Sequence, residues 1–125
     1  MATGVDVVRI DRVAGLLGRS SRRFERRVFT PAEVADCTRS PWPARRFAQC
    51  FALKEAVLKA AGTGLAHGAR WQDIEAELRS GGEEPVVRVS GRVAEWLRGR
   101  GVEGWVASVG GDRRFAVAAV VLQGP

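Results

Sequence analysis

The stretch FALKEAVLKAAGTG, residues 51–64, decides how the rest of the chain is read. From about Ala44 to Ala61 nearly every residue is a good helix former, and Gly62 supplies a C-cap. The apolar residues do not keep to one side. Phe51, Leu53, Val57, Leu58 and the alanines between them leave little polar surface, which predicts a central, mostly buried helix. Set into that helix are the chain's only two lysines, Lys54 and Lys59, while the other eighteen basic residues are arginine. A lysine ammonium is compact, and unlike a guanidinium it can lose its proton when its surroundings demand it. Glu55 and Lys59 are four residues apart, so they project about 40° from one another on one face. Lys54 points about 140° away from Lys59 and serves elsewhere. On an exposed surface a Glu→Lys pair only supports its helix, by ~0.2–0.5 kcal/mol. In a helix apolar almost all round, charges are costly unless they face a partner or a cleft.

Before this helix, TPAE (residues 30–33) is a helix start with Thr30 as N-cap, Pro31 in the first position and Glu33 completing a capping box. That second helix is short, because the prolines of SPWP (40–43) end it. Earlier still, GVDVVRI predicts a strand from about Val5 to Ile10, followed by a helix from Asp11 to about Val28. In that helix Arg19, Arg22, Arg23 and Arg26 recur at helical spacing as a basic stripe, with a possible break near Gly15 and Gly18. Beyond the central helix, RWQDIEAEL and VVRVS flank the turn SGGEEP and predict a hairpin. GRVAEWLRGRG reads as a helix, and WVASVG with FAVAAVVL as a closing strand pair around GGDRR. A strand, then helices, then strands with one more helix argues an α+β fold, a largely antiparallel sheet packed with a long central helix, in one domain over residues 1–125.

Composition bounds the function. The chain has 125 residues, 46% of them hydrophobic, enough for one core. Asp6 and Arg9 interrupt the N-terminal apolar run where a signal peptide would need it unbroken, and no window reaches the roughly 20 apolar residues of a membrane span. A soluble, cytoplasmic protein is therefore expected. Cys37 and Cys50 have no metal-ligand spacing and read as reduced and mostly buried; with His67 the only histidine, a zinc site and a histidine triad are both poorly supported. A formal charge of +6 and a pI near 10.9 point to anionic partners.

Asp6 is a carboxylate among Val5, Val7 and Val8 in a strand expected to be buried. It either faces solvent, caps a neighbouring helix, or joins Glu55 in holding one Mg²⁺, an ion that takes one or two carboxylates plus substrate phosphates and waters. The glycines of Gly62-Thr63-Gly64 either close the helix or let a phosphate approach the backbone. The arginine stripe is either a solvated face or a docking surface. No helix-turn-helix, zinc or RNP-like signature accompanies RSSRRFERR, so nucleic acid is not the expected partner.

Taken together, GVDVVRIDRV, RRFERRVFTPAE, FALKEAVLKAAGTG, RWQDIEA and FAVAAVVL resemble, in order and spacing, the holo-[acyl-carrier-protein] synthase family of small 4′-phosphopantetheinyl transferases. The resemblance implies Mg²⁺-dependent transfer of the phosphopantetheine arm of coenzyme A to a serine of an apo carrier protein, with release of adenosine 3′,5′-bisphosphate. It places Asp6 and Glu55 as metal ligands and Lys59 as the catalytic lysine, with Glu55 as base. It also implies a homotrimer with the coenzyme cleft between neighbours, and a carrier that meets Arg19, Arg23, Phe24 and Arg26. The family usually has glutamate where Arg9 stands, arginine at Cys50 and histidine at Gly111. The coenzyme's phosphate contacts are accordingly expected from Arg45 or Arg46, with Lys59, Gly62, Thr63 and Gly64. The pathway served, fatty-acid or polyketide synthesis, stays open. So does a rival reading as a weakened homologue that binds carrier or coenzyme without efficient transfer.

Overall fold

In chain order the elements are β1 (Ala2–Arg9), α1 (Ile10–Leu17), α2 (Arg23–Val28), α3 (Pro31–Thr38), α4 (Pro43–Ala61), β2 (Ile74–Glu77), β3 (Val86–Val89), α5 (Gly91–Gly99), β4 (Gly104–Gly111) and β5 (Phe115–Gln123). The computed structural model describes residues 1–19 and 22–125. Strands β1, β5 and β4 form an antiparallel sheet in that order, and β2 pairs with β3 in a separate hairpin. Helix α4 lies between them, packed on β1 and β5 along one side and on α1, α3 and β2 elsewhere. The α+β expectation holds, with the antiparallel strands divided between two sheets.

The central helix forms as its sequence demands. Pro43 occupies its first turn, and Gly62 closes it at φ 73°, donating its N–H to the Leu58 and Lys59 carbonyls. The Thr30 capping box is also present, with Thr30 Oγ1 accepting from the Glu33 N–H and Glu33 Oε1 accepting from the Thr30 N–H. The helix expected over 11–28 is interrupted at Gly18, one of the two glycines where a break was expected, and forms two helices; α1 ends at Leu17, and Arg22 precedes α2 in a left-handed conformation. Arg19 and Arg22 therefore lie outside both helices, and the basic stripe is a bent surface rather than one helical face; Ser20 and Ser21, within that stretch, lie outside the described residues. Trp71–Asp73 is a 3₁₀ turn where a strand was expected, and Ile10 belongs to α1, not to the first strand.

Two constraints fix how α4 sits. The first is close approach: a Cβ on Gly4 would overlap the Ala56 carbonyl oxygen and crowd the Ala60 nitrogen, so β1 meets α4 only because Gly4, Ala56 and Ala60 are small. The second is the burial of Lys54, whose side chain is fully enclosed. Its Nζ donates to the carbonyls of Val28 (2.8 Å), Ile74 (2.6 Å) and Trp71 (3.2 Å), and lies 2.7 Å from Glu33 Oε1. Glu33, equally enclosed, also accepts from the Ala76 N–H at 2.7 Å. One ion pair thus ties α4 to the end of α2, the start of α3, the 3₁₀ turn and β2.

Breaking a buried pair from one side costs about 3–5 kcal/mol, whereas replacing both partners by apolar groups is often neutral. Here the apolar swap would strand the Val28, Ile74 and Trp71 carbonyls and the Thr30 and Ala76 N–H groups. Lys54→Met should destabilise by about 3–5 kcal/mol in urea unfolding, and the double variant Lys54→Met/Glu33→Leu should recover none of the loss. Recovery in the double variant would show that the pair matters for its charges alone.

Candidate active site

Asp6 sits in β1 with its side chain towards α4, because Gly4 and Val8, which share its side of the strand, are buried while Val5 and Val7 are not. The pattern inverts the expectation of a strand buried among valines: the acid points inward and the valines outward. Lys59, in the last turn of α4, places Nζ 2.7 Å from Asp6 Oδ1 and 3.3 Å from the Val5 carbonyl oxygen. Glu55, one turn before Lys59 on α4, is half-buried and feels the charges of both. Asp6, Glu55 and Lys59, far apart in sequence, are brought together at one end of the α4–β1 contact.

The electrostatics follow from this geometry. Burial, then the Asp6 carboxylate, raise the pKa of Glu55, with Lys59 and Arg12 acting in the opposite sense. The hydrogen bond and charge of Asp6 raise the pKa of Lys59, so Lys59 holds its proton more firmly than a free lysine, not less. The adjustable amine expected there is therefore a fixed cation. The influence of Arg12 on Glu55, from the exposed side of α1, had no signal in the sequence.

Other candidate residues divide. Arg45 lies on the same side of α4 as Lys59, with its guanidinium 5.8 Å from the centre of the Trp42 ring. Arg46 is turned aside, donating to Asp36 Oδ2 (2.9 Å) and to the Leu78 carbonyl (2.9 Å). Gly62 and Thr63 cap α4, the Thr63 N–H reaching the Leu58 carbonyl at 3.1 Å, and Gly64 is exposed. Arg23 and Arg26 are exposed on α2 and Arg19 in the turn before it. Phe24 is half-buried, edge-on to Phe29 (5.5 Å) and Phe51 (5.8 Å). Both cysteines are free and buried; Cys50 Sγ lies 3.9 Å from Glu33 Oε2.

This arrangement is shared with known proteins. Residues 2–120 match the model of the 4′-phosphopantetheinyl transferase superfamily. The chain belongs to the holo-[acyl-carrier-protein] synthase family of that superfamily. It is 37% identical to the holo-[acyl-carrier-protein] synthase of Koribacter versatilis, with 98% of each chain covered. It is 40% identical to that of Acidithiobacillus ferrooxidans, over 96% of this chain and 94% of the relative. In three dimensions it resembles the Neisseria meningitidis synthase at a TM-score of 0.85, with 25% identity and 98% and 97% of the two chains covered. The Helicobacter pylori synthase, solved in complex with coenzyme A, matches at 0.81 with 29% identity, covering 97% of this chain and 99% of that one. The resemblance carried by the motif blocks thus extends over the whole synthase-family fold.

The raised pKa of Glu55 has a consequence for stability. Between the ordinary value of 4.5 and its folded-state value, the folded chain binds a proton that the unfolded chain has lost, so stability falls as pH rises through that window. In metal-free buffer at pH 7, Glu55→Gln should therefore melt at a higher temperature than the unaltered protein. The gap should close below pH 4.5, where Glu55 is neutral in both states. An equal or lower melting temperature at pH 7 would mean that Glu55 is not held under strain.

Proposed function

We propose that the protein transfers the 4′-phosphopantetheine group of coenzyme A to a serine hydroxyl of an apo acyl carrier protein, in a Mg²⁺-dependent reaction that releases adenosine 3′,5′-bisphosphate. The observation that carries this reading is the convergence of Asp6, Glu55 and Lys59, with Nζ of Lys59 2.7 Å from Asp6 Oδ1, in a chain of this family. The donor set fits the ion. Among the described residues no group of three or more His, Cys, Asp and Glu side chains comes together. Two carboxylates, one of them with its pKa raised partly by the other, suit a cation that completes its shell with phosphate oxygens and water. Mg²⁺ held by Asp6 and Glu55 would neutralise charge on the pyrophosphate oxygens.

Glu55, whose raised pKa makes it a stronger base than an ordinary carboxylate, takes the serine proton directly or through a water. The serine oxygen bonds to the phosphorus bearing the pantetheine arm as the bond to the 5′-phosphate of the adenosine bisphosphate breaks. Lys59, with 54% of its side chain exposed, is able to turn its ammonium from Asp6 to the bridging and leaving oxygens. Arg45 and the Gly62-Thr63-Gly64 turn contact the coenzyme, while the commitment of Arg46 to Asp36 leaves it a structural part. Arg19, Arg23 and Arg26, around the aromatic anchor of Phe24, receive the acidic helix of the carrier.

The outer face of the β1–β5–β4 sheet supports a homotrimer over residues 1–125. Val5, Val7 and Val106 are 51%, 57% and 44% exposed there, an apolar surface of the kind that association covers. Among the described residues no helix is long and apolar enough to cross a membrane, and a cytoplasmic setting, with the carrier of fatty-acid or polyketide synthesis, fits a substrate pair of coenzyme A and an acidic carrier.

The test is a mass assay of apo carrier proteins with coenzyme A and Mg²⁺. The carrier mass should rise by one phosphopantetheine, chelation should abolish the rise, and Asp6→Asn, Glu55→Gln and Lys59→Ala should each lower the rate by roughly 10²–10⁴-fold. Arg23→Ala/Arg26→Ala should raise KM for the carrier and flatten its salt dependence. An unshifted carrier that still forms a complex would favour the binding-only homologue.

A further inference from the structure

The chain's only two cysteines, Cys37 in α3 and Cys50 in α4, take no part in the candidate site, and both are buried with free thiols. Helix α3 ends at Thr38 and α4 begins at Pro43, so the short connection folds the two helices back on each other. Ion pairs give their register. Glu33 of α3 faces Lys54 of α4, with 2.7 Å between Oε1 and Nζ, and Asp36 pairs with Arg46 further along at 2.9 Å. Four residues on from Glu33 is Cys37, and four back from Lys54 is Cys50, one helical turn in each case and on the same two faces. The two thiols are therefore the next facing pair. Cys50 Sγ lies 3.9 Å from Glu33 Oε2 and is hydrogen-bonded with Cys37.

Facing positions on packed helices suit a disulfide. Helix axes pack about 8–10 Å apart with Cα atoms about 2.3 Å from each axis, which brings facing Cα atoms to roughly 3.5–5.5 Å, and a disulfide spans roughly 4.4–6.8 Å. At rest the pair stays reduced. The hydrogen bond to Cys37, burial and the charge of Glu33 push the Cys50 thiol's pKa up, with Lys54 acting in the opposite sense, and a thiol is far less reactive than its thiolate. Enclosure also selects the oxidant. With 0% and 1% of the two residues exposed, a peptide disulfide cannot reach the sulfurs, whereas hydrogen peroxide is little larger than water.

We propose that Cys37 and Cys50 are a modification site, oxidised by hydrogen peroxide to an internal disulfide that ties α3 to α4 and is reopened by thiols. In a brief opening of the helix pair one thiolate attacks the peroxide, whose O–O bond breaks to leave a sulfenic acid and hydroxide. The second sulfur then attacks the first: the S–S bond forms, the S–O bond breaks and water departs. Two thiols and one peroxide thus give one disulfide and two waters, the sulfurs losing the two electrons that the peroxide oxygens gain. Because the second sulfur is already in contact, condensation precedes further oxidation of the first. The bond closes a loop of fourteen residues, which restricts the unfolded chain and raises resistance to unfolding. Cys50 is five positions before Glu55, about 140° round α4, so the link stands away from Asp6, Glu55 and Lys59. The inference does not depend on the transfer reaction.

The experiment treats the folded full chain with hydrogen peroxide, removes the excess with catalase, blocks remaining thiols with iodoacetamide in denaturant and maps the tryptic peptides. Peptides 28–39 and 47–54 should appear joined, with two hydrogens lost and neither cysteine alkylated, and dithiothreitol should separate them. Oxygen taken up by the 97% exposed Met1 falls in another peptide and does not confuse the map. The oxidised protein should melt roughly 5–10 °C above the reduced one. Cys50→Ala should show neither the joined peptides nor the shift, and the map of the unaltered protein decides the matter by itself if that variant does not fold. Cysteines that still take iodoacetamide, that carry sulfinic or sulfonic acid, or that link two chains would each overturn the proposal, as would a linked protein that melts below the reduced one.

Discussion

The ammonium of Lys54 is the point from which the rest of the structure is set. It is wholly enclosed, and its protons are shared among three backbone carbonyls and the Glu33 carboxylate. Those acceptors come from four separate segments, so the rotation of α4 about its own axis is settled by where Lys54 must point. Successive helical residues are about 100° apart. With Lys54 directed into the hairpin side, Glu55 and Lys59 are carried round towards β1, and it is there that Asp6 waits. An arginine could not take this place, because a flat guanidinium needs its acceptors in one plane and these surround a point. At position 59 the requirement is different: an exposed cation beside Asp6, which holds it in its charged form. The two lysines are thus retained for two unrelated physical reasons.

Much of this was legible in the sequence where local chemistry decides structure. Thr30-Pro31 and Glu33 start α3, Gly62 ends α4, and the alternation in FAVAAVVL buries Ala116, Ala118, Val120 and Leu122 on one side of β5. What could not be read depends on partners distant in sequence. Glu33 looks like a capping residue and is one, but the same carboxylate also accepts from Ala76 and pairs with Lys54. The Asp6 strand misleads because alternation tells only that Val5 and Val7 share a face, not which face is covered. Gly4 decides it, since the side without a Cβ is the one α4 can approach. The break between α1 and α2 was legible at Gly18, although arginine spacing continues through it at helical period and so suggests one continuous stripe where the backbone bends.

The candidate site works against the fold that holds it. Glu55 is brought beside Asp6 in partly desolvated surroundings, which disfavours its charged form, and only Lys59 and Arg12 offset this. Such a site is stable because α4 and β1 are fixed independently, by small residues at their contact and by the Lys54 pair on the far side. Rigidity elsewhere permits local electrostatic strain at Glu55.

Of the three positions where the sequence departs from the pattern that the resemblance implies, Cys50 and Gly111 share a structural logic. Cys50 is 1% exposed, against Glu33 and beneath the buried pair, so an arginine there would have to bring a second cation into the one place where Lys54 has already taken the carboxylate. At Gly111 a histidine would need a Cβ where the Phe115 carbonyl oxygen lies, which the φ of 131° forbids. The same turn that excludes histidine brings Arg113 and Arg114 round to Arg45 and Trp42. Both departures therefore fall where a larger side chain has no room, one beside a buried ion pair and the other in a closed turn.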